Sequence, residues 1–207
     1  LCNFLSFLVF GPNVAATVVK GVVDPHLMTL TTVACALIGA IIVDIITWIW
    51  GMPTSSSHAL VGGLLGVALV KGGPAAIVSS GVYKILLFIV VSPVLGLILA
   101  YVISSLVELV ARRSHPSKID KVFRRLQFWS SAAFSLGHGG SDAQKTMGII
   151  WMALMVSGSL PQTSSLPFWV VIACQVAMGL GTLFGGWRIV KTMGQRITKL
   201  RPFEGFC

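Results

Sequence analysis

Gly51-Met52-Pro53-Thr54-Ser55-Ser56-Ser57-His58 places a proline, four hydroxyl side chains and a histidine between two long apolar stretches. Upstream, residues 27–50 carry one formal charge, Asp44; downstream, residues 59–70 carry none. Polar, irregular backbone at that depth is tolerated in a bilayer only where it is buried in protein or lines a cavity. The stretch therefore predicts a broken or re-entrant element inside a membrane-embedded bundle.

The rest of the chain fits that setting. It has 207 residues, is 55% hydrophobic and only 10% charged, with a mean hydropathy of +0.90. Soluble domains carry about 25% charged residues. The apolar runs are long and continuous, as in membrane helices. They lack the alternating polarity of barrel strands. The fold class is an all-α integral membrane protein, a multi-span helical bundle with broken or re-entrant helices. The net charge of +9 does not point to nucleic acid, because of where it lies. Arg112, Arg113, Lys118, Lys121, Arg124 and Arg125 form one cluster, and Arg188, Lys191, Arg196, Lys199 and Arg201 another. Each follows an apolar segment, so the positive-inside rule puts both in the cytoplasm, beside anionic lipid headgroups. Cys2, Cys35, Cys174 and Cys207 show no CxxC pairing and read as small hydrophobes.

Residues 1–19 are apolar with an interruption at Gly11-Pro12-Asn13, and Lys20–His26 form a polar turn. Span 27–50 ends on Trp48 and Trp50, and a short glycine-rich helix, 59–70, follows the hydroxyl motif. Its Gly62 and Gly66 have the spacing that lets helix backbones approach closely. Twelve apolar residues are too few for a straight span of about 30 Å, so 51–70 predicts a hairpin or half-helix. Span 84–110 contains Pro93, a kink position. Segment 128–158 is predicted to break at Gly137–Asp142, and 166–187 is a further span. The chain thus divides into a membrane unit 1–110, a basic cytoplasmic junction loop 111–127 and a membrane unit 128–207. It opens apolar at Leu1, without the charged start of a signal peptide, and reads as a piece truncated at both ends.

Two constellations carry chemistry. The first reads as the N-terminus of the short helix, with Pro in the first turn and Ser or Thr as cap. Free N–H groups, the positive end of the helix dipole and hydroxyls at Thr54, Ser55, Ser56 and Ser57 suit an anion. The same hydroxyls also suit a simple cap bonded back to carbonyls. The second is His138-Gly139-Gly140-Ser141-Asp142-Ala143-Gln144-Lys145. A carboxylate in an apolar region is a functional hypothesis by default. Asp142 can ligate a cation, carry a proton, or pair with Lys145 one turn on, and Ser141 is placed to cap a following helix. His58 and His138 flank the two polar breaks as accessory or hydrogen-bonding groups. Asp44 lies six residues from a helix end and either reaches an aqueous cavity or serves function directly. The chain contains no Gly-x-Ser-x-Gly elbow, Walker motif or dinucleotide fingerprint, so hydrolysis and direct ATP coupling are excluded. Discontinuous membrane helices with such ends are where secondary transporters bind substrate.

At these motifs the chain resembles the inorganic phosphate transporter family called PiT. The family pattern P-x-S-x-[ST]-H followed by glycines matches Pro53–His58 with Gly62, Gly63 and Gly66. Its H-G-[AG]-N-D-A-Q-K-x-M-G pattern matches His138–Gly148, with Ser141 where Asn is usual. The resemblance implies two inverted repeats, of which this chain spans the junction. It implies import of inorganic phosphate, free or as a metal complex, by symport with Na⁺ or H⁺ and with no other cofactor. Ser55, Ser56, Ser57 and Ser141 would hold phosphate, with Thr54, His58 and His138 accessory. Asp142 and Gln144 would serve the coupling cation, Asp142 binding Na⁺ if Na⁺ is the ion. It further implies a multi-pass protein of a bacterial plasma (inner) membrane, a possible homo-oligomer and not an enzyme. An anion channel, or an inert truncated membrane piece, are the competing readings.

Overall fold

The computed structural model describes residues 2–9, 23, 28–112, 116–161, 164–197 and 205–206. The interruption at Gly11–Asn13, most of the turn Lys20–His26 and the end of the basic tail lie outside them. A short helix α1 (Cys2–Leu5) runs into a 3-10 turn, Ser6–Leu8. Then come α2 (Leu30–Trp50), α3 (Ser56–Gly72), α4 (Ser79–Ala111), α5 (Pro116–Val156) and α6 (Phe168–Lys191). The described residues contain no strand, only an isolated antiparallel bridge between Val23 and Ile77. Among the described residues, three stretches are long and apolar enough to cross a membrane: Leu30–Trp50, Ser79–Val110 and Phe168–Gln195.

Local chemistry sets the ends of α2. Thr29 and Thr32 form a capping box, in which Thr32 Oγ1 accepts from the Thr29 amide at 2.6 Å. Gly51 ends the helix in the left-handed region at φ 68°, which a side chain there would strain. Arg188 of α6 crosses to this end. It donates from Nη1 to Ile49 O at 2.9 Å and lies 5.3 Å from the Trp48 ring centre. Trp48 Nε1 in turn donates to Gly185 O at 2.9 Å. A cation at a helix C-terminus meets the negative end of its dipole.

The chain then doubles back. Thr54 Oγ1 donates to Thr47 Oγ1 at 2.9 Å, so residues 52–55 run alongside the last turn of α2. The helix that follows starts beside α2 rather than beyond its end. Lys71 Nζ, near the end of α3, reaches Thr29 Oγ1 at the start of α2, 3.4 Å away. The two helices pack antiparallel; the hairpin expected within 51–70 is instead a turn at 51–55 followed by one helix, α3, which is longer than the stretch 59–70. Its close-packing glycine is Gly63: a Cβ there would strike the backbone of Ala36, while Gly62 and Gly66 have nothing within 4 Å of theirs. The GxxxG expectation is corrected by one residue, because Gly63 is the glycine that faces α2.

The expected break at Gly137–Asp142 is absent. One helix of 41 residues, α5, runs from Pro116 to Val156, and most of the basic junction, expected as a loop, is its first turns. Pro116 suits a first helical position, where no N–H is needed. Glycines inside a helix cost roughly 1 kcal/mol each relative to Ala. Here packing offsets that cost: Gly139 is buried, and a Cβ on it would strike the backbone of Asn3 in α1. With the helix unbroken, Ser141 caps nothing. Helix α4 likewise continues through Pro93, with none of its most apolar window buried.

Two small cores meet on α5. Ile149 and Met152 pack with Val33 and Ala36 of α2 and with Leu64 and Ala68 of α3. Ala143 and Met147 pack with Val170 and Cys174 of α6. The segment 143–152 thus joins the hairpin to α6 and sets Asp142 and Lys145 against the start of α3.

Candidate functional site

The N-terminus of α3 is built as its sequence suggests. Ser55 is the N-cap in extended conformation, its side chain accepting from the His58 amide at 3.4 Å. Ser56, Ser57 and His58 form the first helical turn; the His58 amide is taken by Ser55, and the amides of Ser56 and Ser57 are among those a helix leaves without an intrahelical partner. Thr54 and Ser56 face a cleft of about 350 Å³ that also includes Asp44 and Trp48. Ser57, half-buried, turns the other way, toward α5.

Lys145 joins the two motifs. Its Nζ donates to Ser57 Oγ at 2.6 Å and to Asp142 Oδ1 at 2.7 Å. The other carboxylate oxygen of Asp142 lies 3.4 Å from His138 Nε2, and the His138 ring stacks on Phe134 at 5.9 Å. Lys145 and Asp142 are each about 30% exposed, so the pair is neither sealed nor fully solvated. His138, Ser141, Asp142 and Lys145 recur at three- and four-residue spacing and share one face of α5. Gln144 does not. It is 4% exposed and lies about 200° around the helix from Asp142. His58 is exposed one residue beyond Ser57.

The sequence reading placed Lys145 only as a partner of Asp142. The structure shows that pair and adds the contact with Ser57 across 88 residues. The available signal was the cation itself, in an apolar region and next to a carboxylate.

Behind this face, polar side chains fix α1 and α6 on α5. Asn3 Nδ2 donates to Thr182 Oγ1 at 2.9 Å, and Asn3 Oδ1 accepts from Ser135 Oγ at 2.6 Å. Ser6 Oγ lies 2.8 Å from Asn3 O and 3.2 Å from Gln175 Oε1. Asn3, Ser6 and Gln175 are buried, and buried polar groups that satisfy one another rigidify their surroundings.

A helix start rich in hydroxyls, an ammonium and a neighbouring carboxylate thus lie together within an apolar helical bundle. The chain belongs to the phosphate transporter family, whose model matches residues 1–207; the family is one of transporters, not enzymes. It is 52% identical over 205 residues to a probable low-affinity inorganic phosphate transporter of Rhizobium meliloti, covering 99% of this chain and 61% of that protein. It is 42% identical over 205 residues to a probable low-affinity inorganic phosphate transporter of Bacillus subtilis, covering 98% and 61%. A solved structure described as the sodium-dependent phosphate transporter superposes with a TM-score of 0.84 at 24% identity, covering 99% of this chain and 69% of that one. The chain therefore spans about three fifths of the length of these two bacterial relatives, and shares its fold with the solved structure.

Proposed function

We propose that the full-length protein containing this chain imports inorganic phosphate across a bacterial plasma (inner) membrane by symport with a cation. Ser55, Ser56 and Ser57, with the first amides of α3, hold phosphate oxygens; Ser141 adds a hydroxyl from the facing helix, and Thr54, His58 and His138 are accessory. Lys145 supplies fixed positive charge. Asp142 serves the cation; Gln144, expected beside it, is buried on another face of α5 and is not part of this set. The observation that carries this reading is the Lys145 ammonium lying between Ser57 and Asp142.

The electrostatics follow from that position. Phosphate arriving at Ser57 attracts the ammonium, because charge-assisted hydrogen bonds to an anion are stronger than one to a neutral hydroxyl. Drawing Lys145 toward phosphate loosens its hold on Asp142. The carboxylate then gains by taking up Na⁺ or H⁺, and each ligand favours the other. The relatives named as phosphate transporters and the sodium-dependent structural neighbour support this reading.

The test is phosphate uptake into proteoliposomes carrying the full-length protein, with Na⁺ and pH gradients imposed separately. Accumulation above the external phosphate concentration, driven by one of them, is expected. Equilibration without accumulation would mean an anion channel instead.

A further inference from the structure

We propose that Arg188 and Trp48 form a gate for phosphate: a clasp between the ends of α2 and α6 that closes the cleft beside the hydroxyl turn and that phosphate itself opens. The proposal rests on the transport reading for its ligand; the clasp stands on its own geometry.

Helices α2 and α6 share no core. The buried residues of α2 pack with α3 and α5, and those of α6 pack with other residues of α5. At their ends, polar contacts tie the two helices in both directions. Arg188 Nη1 reaches Ile49 O and its guanidinium covers the Trp48 ring, while Trp48 Nε1 donates to Gly185 O. Arg188 Cγ and Thr192 Oγ1 also crowd Gly51, each 3.2 Å from where a Cβ would stand. Arg188 and Trp48 are both exposed, and exposed hydrogen bonds and cation–π contacts are individually weak. Parting them breaks into neither core.

The sequence of α6 lets its last turns move alone. Asn3 holds the helix at Thr182, and Val170 and Cys174 hold it further back. Between Thr182 and Arg188 lie Gly185 and Gly186, and a Cβ on Gly186 would meet nothing within 4 Å. Glycine in a helix interior keeps backbone freedom that a side chain would remove. Past the clasp the winding changes to a π-helix over Thr192–Ile197, a distortion frequent at functional sites.

The clasp stands at the edge of the cleft. Trp48 lines the cleft from α2, and Ile189, next to Arg188, lines it from α6; Thr54 and Ser56 of the hydroxyl turn line it too. Swinging the end of α6 away removes the Ile189 wall and uncovers the turn. Phosphate supplies the driving force. A neutral carbonyl and a ring face hold Arg188, whereas a guanidinium binds phosphate through charge-assisted, two-pronged hydrogen bonds. An anion leaving the turn through the cleft therefore outcompetes Ile49 O for Arg188. Arg188 and Lys191 in the last turn of α6 mark this end as cytoplasmic, so the gate is the one through which imported phosphate is released.

The experiment attaches spin labels at Trp50→Cys and Val190→Cys, exposed positions beside the clasp, in the full-length protein with its native cysteines replaced by serine. Electron paramagnetic resonance measures the distance between the labels in lipid nanodiscs, with and without inorganic phosphate. A short distance is expected without phosphate, and a longer one whose population grows with phosphate concentration. Arg188→Gln removes the charged donor, so its longer population without phosphate should rise about tenfold and respond little to phosphate. Trp48→Phe, which loses the indole N–H and keeps an aromatic ring, should shift the same way by less, and Arg188→Lys should recover part of the short distance. In proteoliposomes, Arg188→Gln should accumulate less phosphate than wild type, because a gate that does not close lets phosphate run back. Monodisperse elution identifies the folded variants. A wild-type distance unchanged by phosphate overturns the gate, as does an Arg188→Gln distribution identical to that of wild type. If the distances shift as expected but wild-type proteoliposomes accumulate no phosphate, the transport reading fails and the phosphate-operated clasp stands. If the wild type accumulates phosphate while the distance never moves, the gate fails and the transport reading stands.

Discussion

Lys145 Nζ and Ser57 Oγ are 2.6 Å apart, although 88 residues separate them. The contact joins the hydroxyl turn at the start of α3 to the carboxylate motif on α5. It brings together two motifs that are far apart in sequence.

Removing the ammonium should therefore weaken phosphate binding more than it disturbs the fold. Lys145→Met in the full-length protein is expected to lower phosphate affinity by about 1.5–3 kcal/mol, the range for a hydrogen bond to a charged group. Lys145→Arg should restore part of it. Isothermal titration with phosphate measures both, and unchanged affinity in Lys145→Met would reduce the residue to a helix-surface ion pair.

The hydroxyls should matter by number. Replacing Ser55, Ser56 and Ser57 together by Ala should weaken phosphate binding by roughly 1–3 kcal/mol for each important bond, with membrane insertion intact. Phosphate uptake affinity of the triple variant is the readout. Wild-type affinity would leave these side chains as a helix cap only.

Asp142→Asn keeps shape and removes charge. Cation-stimulated uptake should disappear, and residual phosphate binding should no longer depend on the cation. Uptake assayed against cation concentration decides this. Normal transport with normal cation dependence would make the carboxylate a structural partner of Lys145.

Packing sets the distance between the motifs. Gly63→Val forces side-chain atoms into the Ala36 backbone, and overpacking of this kind costs typically 1–3 kcal/mol. The variant should melt several degrees lower in detergent, whereas Gly62→Ala, with open space around it, should not. Equal melting temperatures would contradict the Gly63–Ala36 contact.

These predictions divide along what the sequence made legible. The turn at 51–58 was legible because Gly51, Pro53 and consecutive hydroxyls each oppose a continuous helix, and they occur together. The Asp142–Lys145 pair was legible because three-residue spacing is a local property. The long helix α5 was not. Gly137, Gly139 and Gly140 read as a break, and the reason they do not break it is tertiary: α1 packs its Asn3 backbone onto Gly139. The Lys145–Ser57 contact was hidden for the same reason. It depends on Gly63 seating α3 against α2 and on Ile149 and Met152 seating α5 against both. Composition and motif spacing carry no record of such distances.

The most direct test of a single site shared by the two motifs is a double-mutant cycle. Phosphate affinity is measured for the full-length protein, Ser57→Ala, Lys145→Met and the double variant. Residues in contact within one network show interaction energies of about 0.5–3 kcal/mol, while distant sites add. The predicted result is a double variant weakened clearly less than the sum of the two single losses. Strict additivity would contradict the shared site.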